Sequence, residues 1–213
     1  MSKVLDAAKA LVQMLEEKEK QDKVLLSALQ EGENFKIGEH NFIVLEQDGA
    51  QTKVISKRLM AENVVFDKYV RDYSDSSLKK LIERDIYPVI AEVVGEDNII
   101  EHEVDLTSVD MQQEFEPVKC RVRPITFDEA RKYNDLLVTP EIDGWWWTCT
   151  PWSTKERGCG YSLAVVSPSG CFCICCCRSG RGVRPFCIIQ TVRVGHDPKS
   201  DKDTKRYITF PDY

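Results

Sequence analysis

The chain has 213 residues, 42% apolar and 30% charged, enough to bury a sizeable core in one domain or one domain with an accessory element. Its nine cysteines are too few for a small disulfide-built scaffold, and no apolar run reaches the roughly 18 residues of a membrane span. The net charge of −6 is uneven: residues 145–196 set six bases against Glu156 and carry +5, the tail from Asp197 cancels, and residues 1–144 carry −11. Six scattered bases without interleaved aromatics make nucleic acid a poorly supported partner. Met1-Ser2-Lys3-Val4-Leu5-Asp6 meets charge before an apolar signal core could form, so no secretory signal and synthesis in the cytoplasm are expected.

Residues 1–31 read as one helix. Val4, Ala8, Leu11, Leu15, Leu25 and Leu29 sit at heptad a/d spacing, interrupted by Lys18 and Asp22. The interruption argues against a long coiled coil and leaves packing onto the domain, a short helical hairpin, or homo-oligomerisation through residues 1–31. Gly32 is expected to terminate the helix. The period then becomes two: Phe35 and Ile37, Phe42 and Val44, and Val54 after Asp48-Gly49 predict a hairpin. Helical spacing returns from Leu78 to Val93, entered through Ser74–Ser77, and Pro88 should end or kink that helix near Tyr87. Residues 95–116 are acidic, weakly patterned and read as an insertion. Thr126-Phe127-Asp128-Glu129 is a capping box opening a short helix to about Asp135.

From Trp145 the chain reads as a meander of strands over 145–149, 161–167, 171–178 and 183–189, with turns at Pro151, Gly158, Ser167–Gly170 and Ser179–Gly182. The order of helix, hairpin, helices and antiparallel sheet is α+β. The division expected is an N-terminal helix over 1–32, a domain over 33–190 and a C-terminal tail over 191–213, flexible over 196–206.

Five of the nine cysteines fall within seven residues: Cys171, Cys173, Cys175, Cys176 and Cys177. On a strand, the four odd-numbered thiols project from one face and Cys176 from the other. Same-face neighbours lie roughly 6.5–7 Å apart, too far for a disulfide along the strand or for four thiolates around one tetrahedral zinc. The Cys173–Cys176 spacing encloses Ile174-Cys175, with neither glycine nor proline to make a turn. His40, His102 and His196 lie outside 145–190, and no nucleophile motif or phosphate-binding loop is present. These observations lead to no enzyme, no cofactor and no metal, with a cysteine-dependent metal or thiol redox protein as the alternative.

The motifs Asp143-Gly144-Trp145-Trp146-Trp147 and Gly182-Val183-Arg184-Pro185-Phe186-Cys187-Ile188, bracketing a Tyr161–Gly170 hairpin, resemble those of the C-type-lectin-fold variable proteins of diversity-generating retroelements, found in phages and bacteria. The resemblance extends to the leading hairpin and the Ser76–Ile86 helix, so it spans roughly 33–190. It implies a C-type-lectin-like domain with an antiparallel sheet and two helices, and a hypervariable region over about 145–190. In that family a reverse transcriptase copies a template with errors at adenines, concentrating diversity on one solvent-facing surface. The implied function is non-enzymatic binding of a protein or cell-surface ligand, in the cytoplasm as synthesised or on a virion if phage-encoded. Randomising both adenines of an Asn codon never yields Lys, Glu, Gln, Met or Trp. Cys159, Gly160, Tyr161 and the stretch 171–181 contain none of these five. The variable ligand surface implied comprises Cys159, Gly160, Tyr161, Cys171, Cys173, Cys175, Cys176, Cys177, Arg178, Ser179, Gly180 and Arg181. Trp145, Trp146, Trp147, Gly182, Arg184 and Pro185 are its structural frame, with most of the tryptophan surface in the core and Arg184 in a buried polar contact.

Overall fold

The computed structural model describes residues 23–196, together with Leu5, Lys9, Leu11 and Val12, which are helical. It is α+β, with mostly antiparallel sheets and few helices. The helix expected over 1–31 falls largely outside the described residues, and its last part is corrected: Lys23–Leu25 is a strand, β1, followed by a single 3-10 turn at Leu26–Ala28. Non-local pairing overrides the local leucine spacing here. β1 pairs with the last strand, β14 (Arg193–His196), the Leu26 amide donates to Val192 O, and Gln47 Nε2 donates to the carbonyls of Leu26 and Leu29. Residues 197–213, the remainder of the expected tail, lie outside the described residues.

The predicted hairpin forms as β2 (Asn34–Ile37), β3 (His40–Asp48) and β4 (Gln51–Ser56). These join a seven-stranded sheet of order β1-β14-β2-β3-β4-β13-β8, where β8 is Val122–Pro124 and β13 is Pro185–Gln190. The run Phe42-Ile43-Val44-Leu45 is buried throughout, because both faces of this sheet are covered. Phe42 and Val44 join one cluster with Leu78, Ile82 and Ile90, whereas Ile43 and Leu45 join a second with Tyr133, Leu137 and Phe186.

The interruption expected near Tyr87 takes the form of a π-turn, after which regular α-helix resumes with Pro88 in its first turn. α1 (Ser77–Leu81) begins at Ser76, whose hydroxyl accepts from the Lys79 amide, and the chain passes through a π-turn at Ile82–Ile86 into α2 (Tyr87–Val94) without stopping. The wide turn, with the Tyr87 amide donating to Ile82 O, accommodates the missing donor and ring bulk of Pro88 at the start of α2. The capping box is present as expected, opening α3 (Phe127–Lys132), with α4 (Asn134–Leu137) following. Residues 95–116 hold a 3-10 turn at Glu96–Asn98 and β6 (His102–Val104), which pairs with β7 (Val118–Cys120).

The second sheet has the order β11-β10-β9-β12-β5, from β5 (Ala61–Val65), β9 (Trp146–Pro151), β10 (Ser162–Val166), β11 (Phe172–Cys176) and β12 (Gly180–Val183). Residues 180–182, expected to be turn, are strand: β12 lies parallel to β9 and antiparallel to β5. No helix among the described residues is long and apolar enough to cross a membrane.

Candidate functional site

The frame is built from the sheet outward. Successive residues on β9 point to opposite faces, and because both are covered, Trp146 and Trp147 are both fully buried, each in a different cluster. Trp147 Nε1 donates to Val64 O at 2.7 Å, tying β9 to β5 across the sheet. Trp145, just before the strand, keeps 37% of its surface exposed.

Arg184 lies beneath this frame with no exposed surface. Its Nε donates to Ser56 O at 2.6 Å and its Nη1 to Leu137 O at 2.8 Å, while the guanidinium sits 5.2 Å from the Trp146 ring centroid. Burial pulls its pKa below the usual arginine range. Carbonyl dipoles and an indole face take the place of a carboxylate. Arg123, equally buried, is held differently: Glu129 accepts two hydrogen bonds from it at 2.6 Å each, and Phe186 lies 4.3 Å below. His102 Nδ1 faces Ile100 O at 3.1 Å, which leaves Nε2 to accept from Arg123 Nε at 2.9 Å. Burial and the neighbouring Arg123 charge both lower the His102 pKa, consistent with that neutral tautomer.

Above the frame lies a depression of about 260 Å³ lined by residues of three segments: Leu59, Glu62 and Asn63, then 143–145, then 180–182. Close approach makes it. A Cβ on Gly182 would stand 2.5 Å from a Leu59 methyl, and one on Gly180 would stand 1.9 Å from Asn63 Oδ1. Asn63 itself adopts a left-handed conformation (φ 52°), which asparagine tolerates better than most residues. The Arg181 side chain turns back, donating from Nη1 to Gly180 O at 2.8 Å. The depression is thus lined by an indole, a leucine, an asparagine and both acidic and basic residues.

The other expected surface residues divide sharply. Tyr161 is 49% exposed, with Arg178 stacked 4.3 Å from its ring and anchored by its Nε donating to Lys68 O at 2.9 Å. Cys171, Cys173 and Cys176 are exposed, and Cys159 and Gly160 lie half-buried in the β9–β10 connection. Cys175 and Cys177 are corrections: both are buried and pack in the larger cluster, because alternation on β11 turns them onto the Leu163 side of the sheet. They cannot touch a ligand. Ser179 and Gly180 are half-buried, the Ser179 amide donating to Cys176 O.

Burial pushes the Cys177 thiol up to about 11, with Cys176 adding to the rise. Cys120 rises to about 11, and Cys149 and Cys187 to about 12, for the same reason. These four remain protonated near neutrality and are poor nucleophiles. Among the described residues, no three His, Cys, Asp or Glu side chains converge to hold a metal ion.

Sequence reasoning missed Leu59, Glu62 and Asn63, which come from a segment without a motif, and Ile174, which is 45% exposed between Cys173 and Cys175. Only Ile174 had a signal available, its alternation with Cys175 on a strand already identified. Comparison of the chain with protein-family models, curated proteins and solved structures finds no match.

Proposed function

We propose that the chain is a non-enzymatic binding protein of the retroelement-diversified, C-type-lectin-like kind, carrying its ligand on the surface formed by residues 159–161, the exposed side of β11 and the 178–181 connection. The observation that supports this reading is the separation of roles within one short region. Trp146, Trp147 and Arg184 have no exposed surface, while Tyr161, Ile174 and the thiols of Cys171, Cys173 and Cys176 lie open beside them. A site whose floor is fixed by the core can change its exposed side chains without losing its fold. The ligand expected is a protein or cell-surface molecule, contacted through Tyr161, Ile174, Arg178 and the Trp145 depression.

The test is the coding DNA. A near-copy of the segment for residues 145–190 should lie elsewhere in the source genome beside a reverse-transcriptase gene, differing chiefly at adenines. Absence of such a copy overturns the retroelement reading.

A further inference from the structure

Among the described residues, β11 is an end strand of the five-stranded sheet. On its inner side the Cys177 amide donates to Tyr161 O and the Ser167 amide to Cys171 O, so the odd-numbered residues face β10. Phe172 and Ile174 therefore turn their backbone groups outward, as does Cys176, whose carbonyl already accepts from the Ser179 amide. Exposed edges are ordinarily protected by lysine, proline, a bulge or a covering loop. From Cys171 to Cys177 there is no charge and no proline, β11 pairs with β10 without a register shift, and Ile174 and Cys173 lie open.

We propose that this edge is a self-association site: two copies of the chain pair β11 with β11, antiparallel, about a two-fold axis at Cys173, fusing two five-stranded sheets into one. In that register Phe172 of each copy exchanges backbone hydrogen bonds with Ile174 of the partner subunit, using the groups that point outward. Cys173 meets Cys173 of the partner subunit at a non-hydrogen-bonded position, where Cα atoms come within about 4.5 Å and side chains are closest. The charges favour a second copy as occupant. The stretch being uncharged, it meets no like-charge repulsion in its own image. The antiparallel register also sets Arg178 beside the partner's Pro168, in an uncharged turn, rather than beside another arginine. The axis stands perpendicular to the sheet, so Ile174 and Cys176 of both copies share one side. The proposal does not depend on the ligand reading, but if both hold, the exposed strip is doubled and binds with avidity.

Oxidised glutathione traps the pairing. One Cys173 thiolate attacks a glutathione sulfur and releases one glutathione thiolate. The partner's thiolate then attacks the mixed disulfide at the protein sulfur and releases the second, the two protons lost from cysteine passing to the two glutathiones. The full chain so treated should run on a non-reducing gel at twice its 24.4 kDa mass, with peptide mapping placing the link at Cys173. C173S should abolish the linked species, whereas C171S and C176S should retain it. In reductant, sedimentation equilibrium should show a dimer whose dissociation constant rises at least about tenfold in I174K, with an unchanged thermal melt at concentrations where both proteins are monomeric. Equal linkage through other cysteines, a dimer untouched by I174K, or a monomer in both assays overturns the proposal. No ligand enters either assay, so failure here is distinct from failure of the binding reading.

Discussion

Replacing Glu129 with glutamine isolates one electrostatic interaction. Glutamine at the third helical position still completes a capping box with Thr126, so the start of α3 survives and the change removes only the negative charge facing Arg123. The Arg123 side chain is 3% exposed and that of Glu129 25%, so water already reaches one side of the pair. Losing the partner of a buried charge costs about 3–5 kcal/mol, and the partial exposure of Glu129 places the expected loss near 3. For a chain of this length that lowers the melting temperature by about 6–12 °C. Burial alone would raise the Glu129 pKa, but the Arg123 charge and its hydrogen bonds outweigh it and hold the carboxyl below the usual carboxylate range. A depressed folded pKa means that this stabilisation is complete above about pH 4.5 and is lost as pH falls through the folded value, so E129Q should flatten that part of the acid limb. Urea titrations of wild type, E129Q, R123M and the double variant across pH supply the measurement. A loss under about 1 kcal/mol in E129Q, or strict additivity in the double variant, refutes the assignment of Arg123 as a buried charge dependent on Glu129.

Gly182→Ala should cost about 1–3 kcal/mol by overpacking against Leu59, and L59A should restore part of it, as read by thermal melts. Cys177→Tyr should unfold or strongly destabilise the chain, whereas Cys176→Tyr should leave its circular-dichroism melt within about 0.5 kcal/mol of wild type, since only the first is buried. Iodoacetamide at neutral pH, followed by peptide mass spectrometry, should label Cys171, Cys173 and Cys176 quickly and leave Cys120, Cys149, Cys177 and Cys187 protected until the chain unfolds. Arg184→Lys should cost about 1–3 kcal/mol, because an ammonium cannot serve both the Ser56 and Leu137 carbonyls with the reach of the guanidinium fork; equal stability would show that the fork is dispensable.

What could be read from the sequence was what local chemistry decides. The Asp48-Gly49 hairpin, the Thr126–Glu129 capping box and the strands flanking the Ser167–Gly170 turn all form near the expected positions. Distant partners decided the rest. Leu25 and Leu29 have helical spacing, yet β14, more than 160 residues away, draws Lys23–Leu25 into a sheet. Ser179–Gly182 has turn composition, but the same glycines let β12 come against Asn63 and Leu59, contacts with no signature in either segment. In the candidate site, alternation correctly separated Cys176 from its odd-numbered neighbours. It could not show that the covered face ends between Cys175 and Cys173, leaving one of two same-face thiols in the core and the other in solvent.

That boundary limits how far the site can vary. β11 is anchored by Cys175 and Cys177 on one face and by Phe172 on the other, its ring 4.9 Å from Phe127 in an edge contact. Three of the seven positions from Cys171 to Cys177 are therefore committed to packing, and only residues near their volume fit there without strain. Gly180 is constrained for a different reason, since any side chain there must displace the Asn63 amide. Free variation is left to Cys171, Cys173, Ile174 and Cys176, with Tyr161 and Arg178 beside them. Arg184 makes this division workable. It joins β4, α4 and the Trp146 ring through buried contacts of its own, so the core beneath β9 and β12 is held without the exposed side chains.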